Sequence, residues 1–152
     1  MNELKEQLMQ ISLRTFEEFA FLMPIPAEDA PPADDLETTI TCVSYSGHSK
    51  GILYISVTNP MLPVLAQNIL AEENTPTEQQ QLDALREIAN VICGNVLPSL
   101  AGGDKIYRLK APEIVDKIDE SYKTDSWCLI DNKLTFDEGI AEIFWFCEKP
   151  QE

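Results

Sequence analysis

Glu87 and Asn90 stand one helical turn apart in the stretch Leu82-Asp83-Ala84-Leu85-Arg86-Glu87-Ile88-Ala89-Asn90. The first brings a carboxylate. The second brings an amide, both a hydrogen-bond donor and an acceptor on a short side chain. At about 100° per residue, Asp83, Glu87, Asn90 and Gly94 fall within about 60° of one another. Leu85, Ile88, Ala89, Ile92, Val96 and Leu100 cluster on the opposite side, which must then be the buried one. A polar stripe that ends in a glycine is a surface along which a partner can lie. An ordinary solvated helix face shows the same pattern, so the spacing alone does not choose between them.

Other groups with reactive potential lack the company they would need. His48, the only histidine, falls in a short segment of turn composition with no nucleophile beside it, and Ser44 to Ser49 show no triad context. Cys42, Cys93, Cys128 and Cys147 are widely separated, form no C-x-x-C pair, and sit in or beside apolar runs, where cysteine behaves as a small hydrophobe. They read as reduced core residues. Asp116, Asp119, Glu120 and Asp125 lack the spacing of a calcium loop and read as a solvated connection. No His/Cys/Asp spacing suggests a metal site, and no bound cofactor is expected.

The stripe needs a helix, and the local sequence supplies one. Thr75-Pro76-Thr77-Glu78 reads as a capping box with proline at the first helical position, so a helix is expected from there to Gly102-Gly103. Pro98 lies inside that span and removes a backbone donor, which predicts a kink or an early break. Over residues 4–22, Leu4, Leu8, Ile11, Phe16, Phe19 and Ala20 recur at helical steps and predict a first helix with one buried face. Asn59 is expected to cap a third helix that begins with Pro60, with Pro63 tolerated in its first turn.

Residues 38–45 and 51–57, rich in β-branched and aromatic types, flank Ser46-Gly47-His48-Ser49 and predict a hairpin. Further strands are expected at 105–110, 126–130 and 140–147, separated by turn-like Asp131-Asn132 and Asp137-Glu138-Gly139. In the last of these, Phe144, Trp145 and Phe146 must alternate between the two faces. Residues 24–36, with Pro24, Pro26, Pro31 and Pro32 among acidic side chains, read as a mobile loop. Hairpin-connected strands with helices segregated from them predict an α+β fold, a mostly antiparallel sheet with long helices packed on one face.

The 152 residues suit one domain over 1–152, and 44% apolar with 24% charged residues is globular composition. Acidic residues number 26 against 11 basic ones, a formal net charge of −15, so the surface field repels nucleic-acid and lipid phosphates. Neither a nucleic acid nor a membrane is an expected partner. With no signal-type segment and no span of about 20 apolar residues, a cytoplasmic location is expected.

The series Asp83-x-x-x-Glu87-x-x-Asn90, continued by Gly94-Asn95 and Pro112, resembles the signature of the CheX, CheC and FliY chemotaxis phosphatases. The interval from Asn90 to Pro112 is one residue shorter than the family's. The likeness extends to the first helix, the hairpin strand Gly51-Ile52-Leu53-Tyr54-Ile55-Ser56-Val57 and the short helix that follows. A single Glu-x-x-Asn copy resembles CheX, whereas CheC typically carries two.

What the resemblance implies is removal of phosphate from the aspartyl phosphate of a CheY-like receiver domain. Asn90 would orient the attacking water and Glu87 would pair with the receiver's lysine, making these the catalytic residues. Asp83 and Gly94 would be partner-binding. Mg2+ would belong to the receiver, and the phosphatase would form a homodimer through its sheet, with the strand at 140–147 a candidate edge. The runner-up is a domain that binds receivers or motor components without hydrolysis. A third reading is an acidic interaction or dimerisation protein outside chemotaxis.

Overall fold

The computed structural model describes residues 2–32, 35–71, 74–101 and 104–149. β1 (Thr38–Gly47) and β2 (Gly51–Thr58) form the expected hairpin, in register from Thr38 opposite Thr58 to Tyr45 opposite Gly51. β5 (Trp127–Phe136) and β6 (Gly139–Glu148) form a second hairpin, closed by Phe136 opposite Gly139. β2 and β6 join the two hairpins, and two three-residue strands, β3 (Tyr107–Leu109) and β4 (Glu113–Val115), pair with β1. The resulting order is β3-β1-β2-β6-β5, with β4 also on β1, and all these pairings are antiparallel.

The strands depart from expectation in three places. The segment 140–147 is no edge, because β6 lies between β2 and β5; the sheet ends in β5 on that side and in the short β3 and β4 on the other. Asp131-Asn132 does not turn but continues β5: Asp131 is exposed, while Asn132 is buried and its amide donates to the Lys5 carbonyl at 3.2 Å. Pairing along the full length of β6 overrides the turn preference of that dipeptide. The expected strand at 105–110 shrinks to β3, and β4 was not foreseen, three residues being too few to show a period.

α1 (Asn2–Ala20), α2 (Met61–Leu70) and α3 (Glu78–Val96) cover one face of the sheet. Leu8 and Phe16 of α1, Leu65 of α2, and Leu85, Ile88 and Ile92 of α3 share a core with Val43, Leu53, Ile55, Ile143 and Trp145. Each such buried side chain contributes about 1.5–3 kcal/mol relative to exposure. Trp145 also donates its indole N–H to the Tyr45 hydroxyl at 3.0 Å, so its one polar atom is satisfied inside the core.

α3 begins two residues later than expected. Thr77, not Thr75, is the N-cap: its Oγ1 accepts the Gln80 N–H at 3.1 Å, and Gln80 Oε1 accepts the Thr77 N–H at 2.9 Å. Thr75-x-x-Glu78 and Thr77-x-x-Gln80 both satisfy the capping-box pattern, and the second leaves Pro76 outside the helix. The expected break at Pro98 occurs: α3 stops at Val96, and a short α4 (Pro98–Ala101) follows. The expected terminus at Gly102-Gly103 lies outside the described residues. Asn59 does not cap α2 with its side chain, whose Oδ1 instead accepts the Thr39 hydroxyl at 2.7 Å; its backbone carbonyl accepts the Leu62 N–H at 3.0 Å.

The second face of the sheet carries a smaller core of Cys42, Ile52, Tyr54 and Phe146, with Ile118, Tyr122 and Trp127 packed on it. The acidic connection carrying Asp116 to Asp125 is therefore more than solvated chain, and its Asp119 N–H donates to the Tyr54 hydroxyl at 3.3 Å. As strand alternation requires, Trp145 enters the helix-side core and Phe146 this one. The proline-rich loop is tied down at its start, where the Ile25 N–H donates to the Thr135 carbonyl at 2.8 Å. No helix among the described residues is long and apolar enough to cross a membrane.

Candidate functional site

α3 positions the stripe. Ala84, Leu85, Ile88, Ala89, Ile92, Cys93 and Val96 are buried against the sheet and its neighbouring helices. That fixes the rotation of the helix and turns Asp83, Glu87, Asn90 and Gly94 outward, all exposed. Leu100, expected on the same buried face, lies instead in α4 and is half-buried against the main core.

The four stripe residues differ in how far the helix itself engages them. The Asp83 carboxylate accepts from the Arg86 guanidinium at 2.7 Å and from the Gln79 amide at 2.9 Å, so it is held along the helix surface. Glu87 and Asn90 accept and donate no side-chain hydrogen bond among the described residues. One turn apart on one face, with Cβ atoms about 5–6 Å apart by helix geometry, they present an anionic acceptor and an uncommitted amide together.

A glycine inside a helix can serve close packing or leave room for a partner backbone. A Cβ built at Gly94 would meet nothing within 4 Å, so packing inside this chain does not require glycine. Glycine within a helix costs about 0.8–1.0 kcal/mol relative to alanine, and here nothing internal offsets that cost. Asn95, next along, returns its amide to the Val91 carbonyl at 2.9 Å and is engaged with its own helix. Pro112 is half-buried and immediately precedes β4, which approaches α3.

A groove of about 340 Å³ runs beside the stripe, between α1 and α3, lined by Ile11, Arg14, Thr15, Glu18 and Phe19 from one helix and Val91 and Asn95 from the other. Sequence reasoning put Phe19 in the buried stripe of α1, yet it is 41% exposed. The period gives the direction of a side chain, not whether anything lies opposite it. His48 is exposed and lies edge-on to Tyr107. Among the described residues no group of three or more His, Cys, Asp or Glu side chains could hold a metal ion.

The profile of the family described as chemotaxis phosphatase CheX matches residues 39–129, a span that includes all but the first residue of β1 and the whole of β2, α2 and α3. No curated protein sequence matches this one closely enough to count as a relative. Among solved structures, the chemotaxis protein CheX from Vibrio vulnificus superposes with a TM-score of 0.73 at 16% identity, covering 96% of this chain and 97% of that one. A chemotactic CheC-like protein from Shewanella oneidensis gives 0.71 at 21% identity, covering 97% of this chain and all (100%) of the other. CheX in the CheX-CheY-BeF3-Mg+2 complex from Borrelia burgdorferi gives 0.68 at 13% identity, covering 95% and 97%. At these identities the superpositions establish a shared fold.

Proposed function

The chain belongs to the CheX family of chemotaxis phosphatases, and from that premise we propose that it hydrolyses the aspartyl phosphate of a CheY-like receiver domain. The observation that carries the reading is the pair Glu87 and Asn90, exposed on the outward face of α3 with neither side chain engaged by its own helix. A side chain that serves only as a solvated helix surface has no need of that amide beside that carboxylate. The Borrelia burgdorferi structure, in which a protein of this fold is complexed with CheY, BeF3 and Mg+2, supports a receiver as the partner.

In this reading water attacks phosphorus in line, the bond from phosphorus to the receiver's aspartyl oxygen breaks, and the products are the free aspartate carboxylate and inorganic phosphate. The chemistry asks little covalent work of the phosphatase and much positioning. The Asn90 carbonyl oxygen accepts a hydrogen bond from the attacking water and fixes its approach. Glu87, on the same face, pairs with the receiver's lysine and sets the register of the two surfaces. Mg2+ would be held by the receiver's own acidic cluster, where it would neutralise charge on the phosphoryl oxygens. Asp83, braced by Arg86, and Gly94, open to solvent, border the stripe at its two ends as partner-contacting positions.

The test is phosphate release from a panel of phosphorylated receivers of the same genome, with and without this protein. Faster loss from at least one receiver is expected. A receiver that binds without faster loss would make the chain a receiver-binding or motor-associated module. The same family reading carries a homodimer formed through the sheet, for which β5, an edge strand, supplies backbone groups short of its end at Thr135 and Phe136.

A further inference from the structure

Phe19 has the phase of a core residue and the exposure of a surface one. At about 100° per residue it falls between Leu8, Ser12, Thr15 and Phe16 on α1, all of which are buried, yet it is 41% exposed. What lies opposite is the groove toward Val91 and Asn95. Beyond it the apolar surface continues along the chain, with Phe21 70% and Met23 58% exposed. Phe21 closes α1 in the left-handed region at φ 56°, its N–H donating to the Glu17 carbonyl at 3.0 Å. A bulky aromatic rarely adopts that conformation, and glycine is the usual residue at such a helix end.

Of the four polar residues that line the groove, two are committed. Thr15 donates its hydroxyl to the Ile11 carbonyl at 2.8 Å, and Asn95 donates its amide to the Val91 carbonyl at 2.9 Å. Arg14 and Glu18, one helical turn apart, are exposed and form no ion pair among the described residues, and Arg14 is the one cation among the residues that line the groove, in a chain whose net charge is −15. A free guanidinium beside an uncovered aromatic makes a site for an apolar side chain flanked by an anionic group.

We propose that the α1–α3 groove is the second contact of the phosphorylated receiver, with Phe19 as its apolar anchor and Arg14 as its charge selector. This rests on the receiver-phosphatase reading of Glu87 and Asn90. Val91 lies one turn beyond Glu87 on the same side of α3 and Asn95 one turn beyond Val91, so a body seated on the stripe overhangs the groove. With the phosphoryl group at Asn90, an acidic side chain at the receiver's rim meets Arg14, whereas a second copy of this chain, also of net charge −15, is repelled by the surface around the groove. The stripe performs the chemistry, and the groove decides which receiver is held there.

The experiment measures Kd for a receiver loaded with beryllofluoride and Mg2+, and kcat and KM for its phosphorylated form, with the full chain and its Phe19→Ala, Arg14→Glu and Asn90→Ala variants. Phe19→Ala and Arg14→Glu are expected to raise Kd and KM about tenfold or more, with kcat at saturation changed less than about threefold. Arg14→Glu, a surface change that does not threaten folding, should also flatten the salt dependence of Kd. Unchanged Kd in both variants, or a loss confined to kcat, overturns the groove as a docking contact. Self-association abolished by Phe19→Ala, with receiver binding intact, overturns the choice of occupant. Asn90→Ala separates the two readings: wild-type turnover there sinks the water-positioning role while a raised Kd in the groove variants still stands.

Discussion

Thr77 and Gln80 hold one another across the first turn of α3, each accepting a hydrogen bond from the other's backbone N–H, at 3.1 and 2.9 Å. This reciprocal cap fixes where the helix starts, and the buried row from Ala84 to Val96 then fixes which way Glu87 and Asn90 face. Thr77→Ala leaves the Gln80 N–H without its acceptor and should lower stability by about 1 kcal/mol. Denaturant titration checks this; Thr75→Ala, outside the cap, should change little. The reverse ranking would move the helix start back to Thr75.

Gly94→Ala should divide stability from function. With open space around the position, alanine should raise the unfolding free energy by up to about 1 kcal/mol through helix propensity. The added methyl would stand in the face offered to the receiver and should weaken its binding. Thermal melts alongside binding titrations make the comparison. Greater stability with unchanged receiver affinity would remove Gly94 from the contact surface.

Much of this was legible in the sequence, for reasons particular residues make plain. α3 is long enough for its period to be read, so the outward stripe could be assigned before any coordinates. The cap slipped by two residues because Thr75 and Thr77 both fit the pattern. Asp131-Asn132 has turn composition, but a buried Asn132 amide bonded to Lys5 and full pairing with β6 decide the matter from outside the dipeptide. The α1–α3 groove left no sequence signal, since the spacing of Phe19 is that of a core residue and only the tertiary arrangement uncovers it.

The outer edge of β5, covered at Thr135 and Phe136 by Ile25 and Pro24, offers a test of assembly over its remaining length. The Thr135 carbonyl accepts from Ile25 outside the β5–β6 ladder, so by strand alternation Asp131 also turns its backbone groups outward. Light scattering should give twice the 17.1 kDa of one chain. Asp131→Pro removes an outward N–H without breaking the pairing with β6 and should yield folded monomer. A wild-type chain that stays monomeric at micromolar concentration would exclude the dimer.

Stability should decline at alkaline pH. Burial pushes the Cys93 and Cys147 thiols from 9.0 up to about 12, with the charge of Cys128 adding to the effect at Cys147, and burial raises the Tyr45 hydroxyl as well. Folded values above unfolded ones mean that these protonated groups contribute stability fully below the unfolded value and lose it as pH rises through the folded one. The thiol contribution should thus fade from about pH 9 toward about pH 12. A melting temperature that is flat through about pH 11 would contradict this. At neutral pH reductant should leave it unchanged, since none of the four cysteines forms a disulfide.

The central claim is that α3 delivers a water-positioning amide and a docking carboxylate to a phosphorylated receiver. Glu87→Ala should weaken association as well as turnover, by roughly 1–3 kcal/mol if the lysine pair is desolvated in the complex. Asn90→Ala should leave folding and receiver affinity nearly intact, because an exposed helix position tolerates alanine. The decisive measurement is therefore the rate of dephosphorylation by Asn90→Ala at saturating phosphorylated receiver. The account predicts a rate lower by on the order of 10²-fold; turnover equal to wild type would contradict it.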